Sequence, residues 1–296
     1  MPEPQRVTSS TLRDWPLPSP GTDKEARGSV VVVGGSRETP GAVVLAGEAA
    51  LRVGAGKLQL ATSRSVAPHV ATLVPEALVR GLAESDRGEI VAAATDEVLA
   101  LADGAAVVLV GTGLLAPGSA ADLLEAVLPR LDVPVVVDAL GSAYLTRHPD
   151  GVRHLDGRCV LTLNQVEVMR TLGEGGGADG VDGAEDVELS RRLAARSNAV
   201  VLCGGPRKVV ACPDGEVFVV EEGDAGLGIS GSGDVQAGLV AGLMARGADP
   251  DQAAVWGAFL HGAAGQRLAE SVGRVGFLAR ELPPVVPALV DGLGGA

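Results

Sequence analysis

Six five-residue runs punctuate this chain: Ser29–Val33, Lys57–Ala61, Ala106–Val110, Val133–Val137, Cys159–Leu163 and Ala199–Cys203. Each is rich in Val, Leu and Ala and reads as apolar on both faces of an extended segment. Successive side chains of a strand point to opposite sides, so strands of this kind must be covered twice. The segments between and after them, Ala42–Val53, Ala120–Leu131, Val187–Ser197, Val235–Arg246 and Gln252–Glu270, carry helical patterning. Strand–helix alternation predicts an α/β fold in three layers, with a mainly parallel central sheet flanked by helices. One stretch departs from the rhythm. Lys208–Ala211 and Glu216–Val220 flank Pro213-Asp214-Gly215, which predicts an antiparallel hairpin over about 208–220.

Composition sets the texture of the core. Hydrophobic residues make up 46% of the 296, yet aromatics are only 2% and glycines number 42, so the layers must approach closely through small side chains. A formal net charge of −13 disfavours nucleic acid and anionic membranes as partners. No uninterrupted apolar stretch approaches the ~18 residues a membrane span requires, and residues 1–25 lack the apolar middle of a signal peptide. A cytoplasmic protein is expected. Cys159, Cys203 and Cys212 form no CxxC spacing and sit in or beside apolar runs, which predicts buried, inert thiols. Residues 1–27, with prolines at 2, 4, 16, 18 and 20, read as an N-terminal arm, and residues 28–296 as a single domain. Gly173–Asp186 is expected to be a mobile acidic loop.

Chemistry concentrates in glycine-rich turns. The run Gly226-Leu-Gly-Ile-Ser-Gly-Ser-Gly-Asp-Val-Gln-Ala-Gly238 opens an apolar helix, and Gly231, Ser232 and Gly233 would present free backbone amides to an anion. A charge at a helix N-terminus gains only about 0.3–2 kcal/mol, whereas micromolar binding needs about 8 kcal/mol. A nucleotide would therefore need a base pocket and further phosphate contacts. Asp234 reads either as an acid stabilising the first helical turn or as a base beside a bound phosphate. Further turns follow strands at Val33–Ala42 and Gly111-Thr112-Gly113, and Asp138 ends another strand. Open α/β sheets bind ligands at the carboxyl ends of their strands, where all of these fall.

Taken together, GGSRETPGAVVLAGEAALRVGAGKLQLAT, Pro75-Glu76-Ala77, Gly111-Thr112-Gly113, Val137-Asp138-Ala139 and GSGDVQAG resemble the ADP/ATP-dependent NAD(P)H-hydrate dehydratases of the ribokinase-like superfamily. The resemblance runs in order from about Asp23 to Glu281. It is to the stand-alone form, because residues 1–27 are too short for the epimerase domain many relatives carry. It implies a ribokinase-like fold and the repair of hydrated NADH or NADPH, a small-molecule substrate. ADP or ATP would be the co-substrate and Mg²⁺ the metal: the hydrate hydroxyl is phosphorylated, then phosphate is eliminated. By position it implies that Asp234 is the catalytic base and contacts the substrate, and that Ala42 and Gly113 line the hydrated-nicotinamide site. Cys203, Gly204, Gly205, Pro206, Arg207, Gly231, Ser232 and Gly233 would contact the nucleotide. A homo-oligomer is expected.

The chain also departs from the family pattern. Thr39 replaces a Tyr, Leu140 an Asp, and Asn164-Gln165-Val166-Glu167 a His-Pro-Gly-Glu motif; Cys203 replaces the Lys of Leu-Lys-Gly, and Arg207 or Lys208 could supply that charge instead. Asn164-x-x-Glu167 matches a pattern sugar kinases of the superfamily use near Mg²⁺ and phosphate, making Asn164 a candidate substrate contact and Glu167 a candidate metal ligand. The same pair also reads as a helix cap and a solvated acid. Two other functions stay open on these residues: a kinase for a sugar, vitamin precursor or nucleoside, and a nucleotide-binding member without turnover. His261 is expected to be a satisfied, partly buried histidine, and Trp256 and Phe259 to pack in the core.

Overall fold

The computed structural model describes residues 2–174 and 183–295. Ten strands form one sheet: β1 Gln5–Arg6, β2 Ser29–Val33, β3 Lys57–Ser63, β4 Ala77–Leu82, β5 Val107–Val110, β6 Val135–Asp138, β7 Cys159–Asn164, β8 Val200–Gly204, β9 Lys208–Ala211 and β10 Val217–Val220. Their spatial order is β1-β10-β9-β8-β7-β6-β5-β2-β3-β4. All pairings are parallel except those of β9, which runs antiparallel to both β8 and β10. The expected fold class and the hairpin around Pro213-Asp214-Gly215 are therefore present. All six anticipated strands form, with ends shifted by at most two residues.

The helices are α1 Ser9–Asp14, α2 Gly41–Arg52, α3 Ala67–Leu73, α4 Thr95–Ala102, α5 Pro117–Val127, α6 Ser142–Arg147, α7 Gln165–Leu172, α8 Gly183–Ser197, α9 Ser232–Ala245, α10 Pro250–Ser271 and α11 Leu282–Gly292. Strand side chains of one parity, among them Val30, Val32, Leu109, Leu202 and Val210, join α2, α9, α10 and α11 in one core. The other parity, with Val31, Val33, Val108, Leu161 and Cys203, joins α4 to α8 in a second. The period of two along each strand thus sorts the chain into its three layers.

Small residues let the first of these layers close. A Cβ at Gly238 of α9 would sit 2.1 Å from the Ala46 carbonyl of α2, and one at Gly242 would sit 2.5 Å from the Ala50 carbonyl. The two helices touch backbone to backbone along matched four-residue spacings. As a result α9 is buried nearly all round and lies directly over the middle of the sheet. The Gly/Ala-rich helices are spent on this internal packing.

The segment before Gly28 holds more than loop. Gln5 and Arg6 extend the sheet beside Phe218 and Val219, and Thr8 caps α1 in a reciprocal capping box. Its backbone is then fastened from within: Trp256 donates its indole N–H to the Trp15 carbonyl at 2.9 Å. Arg246, almost fully buried, donates to the carbonyls of Val53, Pro18 and Gly295 at 3.1, 3.2 and 2.8 Å. Of the acidic loop expected over 173–186, residues 175–182 lie outside the described residues; Gly173 ends α7 with φ 79° and Gly183–Asp186 opens α8.

Candidate active site

Three neighbouring strands end side by side at the carboxyl edge of the sheet and deliver one residue each. Asp138 closes β6, Asn164 closes β7 and Gly204 closes β8. The register pairs Asp138 with Thr162 and Asn164 with Gly204. The N-terminus of α9 arrives above them. Gly231, at φ 89°, is its N-cap, and a Cβ there would meet Leu45 at 2.4 Å. Only glycine combines that backbone angle with that approach. The Gly233 and Asp234 amides of the first turn have no partner within the helix, while the Ser232 amide donates to the Ile229 carbonyl at 3.2 Å.

Two adjoining cavities share Asn164, Gly204, Gly233 and Gln236. The smaller, about 250 Å³, is acidic: Asp138, Glu167 and Asp234 all line it. Burial raises Asp234 to about 6. Asp138 is held well above the usual carboxylate range by burial first and by the negative charge of Asp234 second, although Thr162 donates to it at 2.8 Å. Glu167 is also raised, by burial. The larger cavity, about 680 Å³, runs along Gly204, Gly205 and Pro206, past Gly228, Ile229 and Ser232, to Lys208 and His261.

The anticipated residues do not all meet there. Gly204, Gly205, Pro206, Ser232 and Gly233 line the large cavity, and Gly204, Gly231, Gly233 and Asp234 the small one, with Asn164 on both. Cys203 lies on neither. Its parity matches Val201, so its thiol is buried on the opposite face of the sheet, beside Ser190 of α8, and pushed up to about 12. A residue of this parity does not face the α9–α10 side. Arg207 likewise lines neither cavity.

Ala42 and Gly113 sit together a short way off, outside both cavities. A Cβ at Gly113 would fall 2.6 Å from that of Ala42 and 2.9 Å from the Thr39 carbonyl. Thr39 donates to the Gly113 carbonyl at 2.7 Å and is bonded to Ser36 at 2.8 Å. The turns at Val33–Ala42 and Gly111–Gly113 are thus locked into one wall.

Asn164 and Glu167 form a reciprocal capping box at the start of α7. The Asn164 side chain accepts from the Glu167 amide and the Glu167 carboxylate accepts from the Asn164 amide, both at 2.9 Å. The helix-cap reading of this pair holds, but Glu167 is half-buried rather than solvated. It keeps one oxygen outside the cap. Cys159, Cys203 and Cys212 are buried free thiols as expected.

Sequence reasoning placed Asp138 at a ligand-binding strand end and offered Lys208 as a substitute charge, but left Thr162, Gln236 and His261 outside its site. For Asp138 a signal existed, since a carboxylate ending an all-valine strand is buried without any structural need. Gln236 and His261 lie inside apolar helices, and nothing local marks which face they take.

Comparison with known proteins identifies the family. The model of the NAD(P)H-hydrate dehydratase family matches residues 30–287. The ADP-dependent (S)-NAD(P)H-hydrate dehydratase of Xanthomonas campestris is 45% identical over 294 residues, covering 99% of this chain and 98% of that protein. Among solved structures, a ribokinase-like superfamily protein of Enterococcus faecalis superposes with TM-score 0.82 at 22% identity, covering 99% and 97% of the two chains. The ADP/ATP-dependent NAD(P)H-hydrate dehydratase of Bacillus subtilis, co-crystallised with ATP and Mg²⁺, superposes with TM-score 0.76 at 25% identity, covering 98% of each.

Proposed function

This chain belongs to the NAD(P)H-hydrate dehydratase family, and we propose that it dehydrates hydrated NADH or NADPH while consuming ADP or ATP. The observation that carries the reading is Asp234. Its carboxylate, raised to about 6, lines one cavity with Gly231 and Gly233 of its own helix end. A base just ionised near neutrality accepts a hydroxyl proton effectively, while the amides hold the phosphoryl oxygens on which charge accumulates.

The steps follow from that placement. The hydrate hydroxyl gives its proton to Asp234 as its oxygen bonds the terminal phosphorus and the nucleotide's P–O bond breaks. Phosphate then leaves with the C–O electron pair, and loss of the neighbouring ring proton restores the double bond. Gly204–Pro206 and Gly231–Gly233 would hold the nucleotide along the larger cavity. Ala42, Gly113 and Asn164 would bound the hydrated ring.

Mg²⁺ belongs to the same proposal. Three carboxyl groups line the smaller cavity, yet among the described residues no three His, Cys, Asp or Glu side chains converge tightly enough to chelate a metal alone. That donor set fits an ion bound by one or two carboxylates, with phosphate oxygens and water completing its shell. Glu167 would hold it through the oxygen outside the capping box, and the ion would supply charge neutralisation on the transferred phosphoryl group. A single catalytic domain over 28–296, self-association and a cytoplasmic location are part of this reading. Among the described residues no helix is long and apolar enough to cross a membrane.

The test is to incubate the protein with hydrated NADH, Mg²⁺ and ADP or ATP and follow the absorbance of reduced nicotinamide. Nucleotide-dependent recovery that disappears in Asp234→Asn is expected. Accumulation of a stable phosphorylated hydrate would make the chain a kinase, and no turnover despite measured nucleotide binding would make it a binder.

A further inference from the structure

The far end of the larger cavity holds a buried cation that the steps above do not use. Lys208 begins β9, and its parity with Val210 turns its side chain toward α9 and α10. Only 2% of Lys208 is exposed. Its ammonium donates to the Glu222 carbonyl at 3.1 Å, which occupies one of three N–H bonds. Among the described residues it forms no ion pair. Glu222 is the carboxylate whose charge it feels, but burial outweighs that attraction and brings Lys208 down to about 8. One Glu222 oxygen is itself buried without a hydrogen-bond partner.

Lys208 nevertheless lines the larger cavity. Gly223 presents no side chain there; a Cβ at that position would stand 3.5 Å from the Lys208 nitrogen. His261, the other titratable side chain at this end apart from Asp224, is kept neutral by burial and by the Lys208 charge. Its Nδ1 is buried and unpartnered. A buried ammonium with two unspent donors is costly unless an anion completes it. The amides of α9 along the same cavity favour the same sign of ligand.

We propose that Lys208 is the residue that recognises the phosphate charge of the nucleotide, so that the cavity discriminates between nucleotides and the bare nucleoside through β9. The proposal rests on the nucleotide-dependent reading above. It also accounts for the burial of Cys203 on the other face of the sheet: the cation of this site comes from the antiparallel strand rather than from the end of β8.

Calorimetric binding of adenosine, AMP and ADP to the full chain tests it. Wild type should bind ADP at least about tenfold more tightly than adenosine, as a hydrogen bond to a charged group implies. Lys208→Met should lose that margin while keeping adenosine affinity, Lys208→Gln should behave alike, and Lys208→Arg should recover part of it. Unchanged adenosine binding certifies that the variants are folded. Equal ADP affinity in wild type and Lys208→Met overturns the proposal and leaves the nucleotide-dependent reading standing. Equal affinity of wild type for adenosine and ADP overturns it without any variant, and failure of wild type to bind either nucleotide removes both readings.

Discussion

The hydroxyl of Ser232 and Nε2 of His261 lie 2.9 Å apart, a buried bond that ties the first residue of α9 to the middle of α10. It anchors the helix end whose amides face the cavity. Burial lowers His261 to about 3, against an ordinary value of 6.5. Between those values the unfolded chain binds the extra proton, so this residue's contribution to stability is complete above pH 6.5 and is lost as pH falls. Urea unfolding at pH 7 and pH 5 should show a stability loss that is smaller in His261→Gln; an identical loss in both proteins would contradict the neutral buried histidine.

Asp234 has the opposite sign. Its folded value of about 6 lies above the ordinary 3.8, so the folded state binds more protons in that window and its contribution to stability falls as pH rises through it. Activity requires the ionised form and should decline below pH 6, giving an acid limb in kcat/KM near that value. Asp234→Asn should lower turnover at least about a hundredfold, retain nucleotide binding, and unfold at a higher temperature at pH 7, since a buried charge has been removed. Unchanged turnover would remove Asp234 from the role of base.

Gly113 stands at φ 66° with the Ala42 methyl group and the Thr39 carbonyl against it. Gly113→Ala should push the two glycine turns apart and destabilise the fold by about 1–3 kcal/mol. Its kinetic signature should be a raised KM for the hydrate with little change in nucleotide affinity, measured by steady-state titration of each substrate. An effect on nucleotide affinity alone would place Gly113 at the other ligand.

The capping box lets two roles be separated at the start of α7. Asn164→Ala removes a cap and should cost about 1 kcal/mol by denaturant unfolding. Glu167→Gln keeps an oxygen for the Asn164 amide, so stability should hold while the Mg²⁺ concentration for half-maximal activity rises. A Mg²⁺ requirement equal to wild type would reduce Glu167 to the cap alone.

The layers were legible because the six apolar runs impose burial on both faces wherever they occur, and close packing because aromatics are scarce and glycines many; which helices use it, through Gly238 and Gly242, came from the structure. β4 was not: Ala77–Leu82 alternates partly exposed residues with Arg80 at the sheet's edge, and edge strands escape the double covering that makes a run conspicuous. The turns around Gly113 and Gly231 were visible as turns, since positive φ selects glycine locally. What the strand parity did to Cys203 and Lys208 was not visible, because a residue's type says nothing about which side of a sheet it faces until the register is set by neighbours far away in sequence.

By itself, then, the sequence determined the local requirements: which segments must be extended, which must be buried on two faces, where the backbone turns left-handed, and which carboxylate opens α9. Only the tertiary structure decided which charges meet. Asp138 and Asp234, nearly a hundred residues apart, line one cavity, where burial raises both and the charge of Asp234 raises Asp138 further. At the end of the other, burial and the charge of Lys208 keep His261 neutral. Electrostatic coupling depends on distance and on the removal of water, and neither exists until the sheet and the two helices have closed over the site.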